Sequence, residues 1–400
     1  MTRAIIVGGG LAGTATALAL RRAGIGSTVH EAGTSAADGL GAWLTLAGNG
    51  MGALGTLGVA DAVAAEGFPT PRMALRTASN RELVTFPAGS VRPDGRQAHT
   101  IRRADLYRVL REETVRLGIP LVHGAWLVGA DHLPGGGVRA RFADGSEATG
   151  DLLIGADGLR SVTRSLIDPG AAAARYTGLL NVGGYARGLD LGRPPGVMDF
   201  CFGRRCFLGS VTSPAGDVWW FTNPPSPEPG RGELAATSEE DWRARLLELF
   251  AADDLPVRAL LDASDALFAG WPTYDIPRVH TWHRDGMVLV GDAVHAASPA
   301  SGQGAAMAFE DAVTLALCLR DRPSPAEAFT AYERLRRTRV EAVVARGKRT
   351  GDAKAPGPVG RWVRDRLVMP LVAASVRRAG PGRDEWLTGH HIDWDTRVPA

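Results

Sequence analysis

The chain opens with an unbroken apolar run over residues 4–7, and residues 11–22 then carry Ala and Leu at helical spacing. A second short strand follows over 27–31. Together these predict a βαβ unit of the length used for dinucleotides. Further on, a helix is expected over 103–117, with Leu106, Leu110 and Leu117 near one face, and strands over 121–127 and 138–142. Ala143-Asp144-Gly145-Ser146 reads as a hairpin turn, because Asp-Gly tolerates positive φ. Residues 152–155 are apolar throughout, as in a strand buried on both faces.

The texture changes between about residues 175 and 277. Short apolar and aromatic runs (179–185, 197–202, 205–211, 218–221) alternate with Gly/Pro turns, as in a largely antiparallel sheet. A helix over 239–251 interrupts it, and the proline-rich 224–229 segment reads as a loop. A buried strand returns at 287–290, followed by helices over 304–319 and 325–348. The order predicts an α/β protein with a Rossmann-like dinucleotide domain (1–71, 100–174 and 278–350). A β-rich substrate domain (72–99 and 175–277) is inserted into it, and a helical or irregular segment (351–400) closes the chain.

Composition adds mostly exclusions. A formal net charge of +2 over 400 residues gives no field to attract nucleic acid or a membrane surface. No apolar stretch is long enough to cross a bilayer; residues 367–376 are too short and are expected to pack against the body. Cys201, Cys206 and Cys318 have no metal-ligand spacing, and their odd number suits a reduced cytoplasm better than a disulfide framework. His390-His391 lacks a further Cys/His pair to complete a zinc site, so no metal is expected. Nothing in the sequence fixes an oligomeric state.

The chemistry lies in three glycine-bearing segments. In the first, Gly8 permits the strand-to-helix turn, Gly10 lets the backbone of Leu11 and Ala12 approach a pyrophosphate, and Gly13 lets helix and strand pack closely. The helix start favours phosphate, and Glu31 ends the second strand where a carboxylate can bind ribose hydroxyls. The second segment is Ile154-Gly155-Ala156-Asp157-Gly158, with Ser161 and Arg164 following. The third is Gly291-Asp292-Ala293 with His295, then Pro299, Gly302 and Gly304.

These three motifs, in this order, resemble the single-component FAD-dependent aromatic hydroxylases, the para-hydroxybenzoate hydroxylase-like flavoprotein monooxygenases. The residues 101–106 also look like that family's arginine-and-leucine helix start. The resemblance covers nearly the whole chain. It implies an FAD site in which Asp157 and Gly158 form the middle motif. It places Asp292 on ribityl or ribose hydroxyls, Pro299 as the stiff flavin-adjacent loop, and the amides of Gly304, Ala305 and Ala306 facing flavin N1 and the C2 carbonyl. Arg103 is expected at the pyrophosphate, and Leu127 at the position of an adenine-flanking apolar residue. Two departures stand out: Ala306 where Asn or Gly is frequent, and Ala32 where a basic residue often follows the ribose-binding acid.

The implied cycle uses NADPH or NADH to reduce FAD. O2 then forms a flavin C4a-hydroperoxide, which delivers one oxygen atom to an aromatic or polyketide-like small molecule, hydroxylation foremost. No second glycine-rich unit suggests a separate nicotinamide domain. Trp43, Tyr185, Trp219 and Trp220 are candidate pocket residues, with only one of the last two able to face the pocket. Trp43, Tyr185 and Trp220 are the expected substrate residues. No general base is assigned; His99 and Tyr274 are the nearest candidates. The glycines between 39 and 58 suggest a movable lid. An FAD reductase or dehydrogenase that does not use O2, and a non-catalytic flavoprotein sensor, remain alternatives. A flavin halogenase lacks its W-x-W-x-I-P signature here.

Overall fold

The computed structural model describes residues 2–34, 42–354, 357–379 and 384–399. Its first sheet has the order His283–Arg284, Met287–Leu289, Leu152–Gly155, Arg3–Val7, Gly26–Glu31, Leu121–His123. Every pairing is parallel except that of the His283–Arg284 edge. Ile5, Ile6, Leu152, Ile154 and Val288 are fully buried, which explains why these strands read as unbroken apolar runs. The helices Leu11–Arg22 and Gly304–Asp321 pack together beside this sheet. Gly291, at φ +61°, makes their approach possible: a Cβ there would stand 2.7 Å from that of Ala12.

A second, seven-stranded sheet has the order Ser264–Asp275, Arg175–Ala186, Val218–Thr222, Phe207–Thr212, Val197–Phe202, Arg72–Thr77, Glu82–Pro87. It is antiparallel except where Val197–Phe202 meets Arg72–Thr77. Alternation along its strands gives two apolar faces. Leu180, Val182, Leu208 and Trp220 pack with Trp242, Leu246, Leu260 and Leu261, which lie on the helices Glu239–Leu249 and Val257–Asp262. Tyr185, Met198, Val211, Trp219 and Phe221 point the other way. They meet Trp43 and Phe68 of a small sheet, Trp43–Leu46, His99–Arg102 and Phe68–Pro69.

The expected architecture, a Rossmann-like α/β unit interrupted by a largely antiparallel sheet, is the observed one. Three local expectations change. Residues 121–127 do not form one strand: Gly124, at φ +74°, breaks the run. Leu121–His123 stays in the first sheet, while Leu127–His132 begins a separate antiparallel sheet with Val138–Phe142 and Glu147–Gly150. The glycine-rich lid also fails where it is described. Gly39 and Gly41 lie outside the described residues, but Gly48–Thr56 is a helix packed on the Gly304–Asp321 helix. A Cβ on Gly50 would come within 3.0 Å of the Ala306 Cβ, so this glycine provides close packing, not a hinge. Finally, the strand expected from residue 205 begins at Phe207.

Residues 367–376 fall in a π-helical turn, Arg364–Val368, and the helix Met369–Ala379, whose Met369 and Ala373 pack on Leu75 and Val84. No described helix is long and apolar enough to cross a membrane. The tail straps back over the first unit: Arg320 donates to the Trp394 carbonyl at 2.6 Å and Arg339 to the Leu387 carbonyl at 2.9 Å.

Candidate active site

At the end of the first strand, Gly8 takes φ +103°, and a Cβ there would stand 2.4 Å from the Ala156 carbonyl oxygen. Its amide donates to the His30 carbonyl at 2.8 Å. The Glu31 carboxylate accepts the Gly9 amide at 2.6 Å and the Gly33 amide at 2.8 Å, so it braces the loop from the second strand. Gly10 caps the Leu11–Arg22 helix with no side-chain hydrogen bond, which leaves the first-turn amides, including those of Leu11 and Ala12, available to an anion. A Cβ on Gly10 would lie 3.7 Å from the Tyr107 ring, and Arg103 donates to the Tyr107 hydroxyl at 3.4 Å. Arg103 therefore stands beside the glycine loop, with the Asp292 charge within its electrostatic reach.

The second motif is largely structural. The Asp157 carboxylate accepts the Ser161 hydroxyl at 2.5 Å, the Thr163 amide at 2.9 Å and the Thr163 hydroxyl at 3.0 Å, fixing the start of the Val162–Ile167 helix. Gly158, at φ +72°, turns the chain with open space before it. Arg164 is buried and donates to the Ala293 carbonyl at 2.9 Å and the Leu159 carbonyl at 2.8 Å, tying the second motif to the third.

In the third motif Asp292 and Pro299 are exposed beside this cleft. Gly302, at φ +62°, ends the Pro299–Ser301 turn, and Gly304 begins the long helix. A Cβ on either would meet nothing within 4 Å, an open cradle in front of a helix start. Ala305 is half-buried next to it. Two further expected cofactor residues have buried side chains. The Ala306 side chain packs toward Gly50 and leaves only its backbone to the cleft. Leu127 is buried in the main core.

Beneath the cradle lies a polar network that the sequence reading missed. Asn49 donates to the Gln303 side chain at 2.8 Å and to Glu310 at 2.7 Å. Arg336 donates to Glu310 at 2.6 Å and to Asp311 at 2.8 Å. Asp311 also accepts the Gly291 amide at 2.9 Å and pairs with His295 at 2.5 Å. His295 is thus a brace under the motif, turned away from the cleft. Adjacent acids at 310 and 311 inside an otherwise apolar helix were the available signal.

The candidate substrate residues divide. Trp43 packs edge-on against Phe221 at 5.3 Å between ring centroids, and Tyr185 against Trp219 at 5.2 Å. The Arg102 guanidinium lies 5.0 Å from the Tyr185 ring and 5.4 Å from that of Trp219. Burial pushes the Tyr185 hydroxyl up to about 12, so it stays protonated. Trp220 is a correction: it lies in the opposite core, with its indole N–H on Ser264 at 3.0 Å, and Trp219 takes the inward place. Neither base candidate lines this space. His99 pairs with Leu46, a core residue, one position out of phase with Thr100 and Arg102. The Tyr274 hydroxyl sits in an exposed contact with Glu228. Among the described residues no cluster of His, Cys, Asp or Glu is placed to hold a metal.

The glycine loop, Glu31, Arg103 and the Gly302–Gly304 cradle suit the phosphate, ribose and ring ends of FAD. Comparison with known proteins points to FAD as well. The family profile described as FAD binding domain matches residues 1–347. Aurachin C monooxygenase/isomerase of Stigmatella aurantiaca is 31% identical over 369 residues, covering 91% of this chain and 93% of that protein. The FAD-dependent urate hydroxylase of Klebsiella pneumoniae is 31% identical over 356 residues, covering 88% and 90%. The crystal structure of K. pneumoniae HpxO with FAD and uric acid superposes with a TM-score of 0.81 at 27% identity, covering 95% of this chain and 97% of that one. The chain therefore belongs to the FAD-dependent aromatic hydroxylases, single-component flavoprotein monooxygenases.

Proposed function

We propose that this enzyme hydroxylates an aromatic or polyketide-like small molecule held between the seven-stranded sheet and the Trp43–Leu46 strand, with O2 as oxygen source and NADPH or NADH as transient electron donor. The single observation that carries this is the Trp43 indole N–H. It is buried inside an aromatic cluster and has no hydrogen-bond partner among the described residues. Buried donors are rarely left unpaired, so an acceptor on a bound ring accounts for it. Trp219, Tyr185 and Phe221 supply edge-on ring contacts on the same side.

FAD, when bound, supplies the redox and oxygen-transfer chemistry. The chain binds and orients it. The amides of Leu11 and Ala12, with Arg103, take the pyrophosphate, and Glu31 takes the adenosine ribose. Asp292 takes hydroxyls of the ribityl chain, and the Gly304 and Ala305 amides take the electron-rich edge of the ring, where the helix start favours negative charge. Pro299 fixes the loop beside it, and Gly158 leaves room for the chain to pass. Residues 72–99 and 175–277 furnish the seven-stranded sheet, whose Tyr185, Trp219 and Phe221 form the aromatic wall with Trp43 and Phe68.

The test is the visible spectrum of the purified protein, before and after anaerobic NADPH or NADH with a panel of small aromatics. Flavin bands that bleach faster with one aromatic and recover in air support the reading. Bands that never bleach with any of them overturn it.

A further inference from the structure

The helix Pro325–Asp352 runs beside the Pro299–Ser301 turn: a Cβ on Gly347 would stand 2.9 Å from that of Ser301. Two residues past its end, Lys354 turns inward and is 6% exposed. Its ammonium donates to the Asn223 side-chain oxygen at 2.7 Å. It lies 4.1 Å from the centre of the Phe207 ring and 5.4 Å from that of Phe221. Asn223 directly follows Thr222, the last residue of the strand that carries Trp219 and Phe221. Its amide nitrogen faces the Leu180 carbonyl and the Asn181 side chain, both at 3.3 Å, which turns its oxygen to Lys354. The amine therefore stands against the aromatic face, where Phe221 neighbours both it and the Trp43 ring.

No carboxylate lies within ion-pair distance of Lys354 among the described residues. One neutral amide oxygen and two ring faces do not offset the burial of a full charge. A site of this kind suits a ligand that brings its own anion. We propose that Lys354 is the catalytic base that takes the proton of a ring hydroxyl on the aromatic substrate. The proposal rests on the reading of the aromatic face as the substrate site. In the step, the substrate O–H bond breaks and an N–H bond forms on the neutral amine. The electron pair stays on oxygen, where it raises the ring's electron density for attack on an electrophilic oxygen.

The setting agrees with this role. Burial pulls the Lys354 pKa down to about 7, so the neutral amine is well populated near neutrality. The charged and titratable groups around it are few. Cys206, on the strand side, is pushed up to about 12 by burial and stays a neutral thiol. Arg364 reaches the neighbouring Ala353 carbonyl, and the exposed Asp352 pairs with Lys348. Tyr185, on the aromatic face, stays a neutral phenol.

The test is binding of 4-nitrophenol to the FAD-loaded enzyme, read by difference absorbance, which distinguishes bound phenol from bound phenolate. The wild type is expected to bind it as phenolate at a pH where the free probe is mostly phenol. Lys354→Met is expected to bind it as phenol, about tenfold or more weakly. The same ionisation state in both proteins overturns the proposal. If Lys354→Met does not fold, Lys354→Arg decides. Wild-type affinity is expected to fall at alkaline pH as the amine loses its charge, and the arginine variant is expected to lose that fall; a retained fall overturns the role of Lys354. Trp219→Ala separates the underlying reading: nitrophenol binding unaffected by that change means the aromatic face is not the site.

Discussion

Gly13 lies so close to the carbonyl oxygen of Gly8 that a Cβ on it would stand 1.8 Å from that atom. The contact joins the first turn of the Leu11–Arg22 helix to the end of the first strand and sets the path of the loop between them. Backbone cannot yield as a side-chain tip can. Gly13→Ala is therefore expected to lower stability by about 1–3 kcal/mol and to leave little bound FAD. Thermal unfolding together with the ratio of flavin to protein absorbance checks it; a variant with full stability and full FAD refutes the assignment of this loop.

Asp292 tests the other end of the same cleft. It is exposed, so Asp292→Ala is expected to change the stability of the FAD-free protein by no more than about 0.5 kcal/mol. A lost hydrogen bond from flavin hydroxyls to a carboxylate, about 1.5–3 kcal/mol, is expected to weaken FAD about tenfold to a hundredfold. Fluorescence titration of the FAD-free protein with FAD measures this, and an unchanged affinity removes Asp292 from the site.

The adjacent tryptophans separate core from pocket. Trp220 is fully buried against Trp242 and Leu246, and Trp220→Ala is expected to cost about 3–5 kcal/mol, seen as a fall in the unfolding midpoint. Trp219 faces Trp43 and Tyr185, and Trp219→Ala is expected to change aromatic-ligand affinity while FAD content stays the same. The reverse pattern would exchange the two faces of the sheet.

That pair also marks how far the sequence could be read. The period of two requires that Trp219 and Trp220 point to opposite faces, but choosing between them needed the sheet's neighbours. The helices at 239–249 and 257–262 cover one side, and the Trp43–Leu46 strand meets the other. The glycine motifs were legible because each does a local job at fixed spacing. The strand Ser264–Asp275 was not, because register shifts against Arg175–Ala186 break its alternation. Lys354 was invisible for a related reason: its partners, Asn223, Phe207 and Phe221, lie far away in the chain.

The network under the Gly302–Gly304 cradle gives the last prediction. Burial alone would push the Glu310 and Asp311 carboxyls up. For Glu310 the Arg336 and Arg339 charges outweigh burial, and for Asp311 His295 and Arg336 do; both are held at about 2, against ordinary values of 4.5 and 3.8. A carboxylate depressed in the folded state stabilises it fully above the unfolded value and loses that contribution as pH falls through the folded one. The unfolding midpoint of the wild type is therefore expected to drop progressively between about pH 4.5 and pH 2. Arg336→Met removes the charge shared by both acids and leaves them buried with weaker compensation, at a cost of about 3–5 kcal/mol near neutrality. Its pH dependence is expected to flatten, because protonation then relieves a penalty instead of breaking a pair. Asn49 links Glu310 to Gln303, the middle residue of the cradle, so the same variant is also expected to hold FAD more weakly. Calorimetry from pH 7 to pH 2 on both proteins decides it: parallel curves would mean that Arg336 does not set the ionisation of this pair.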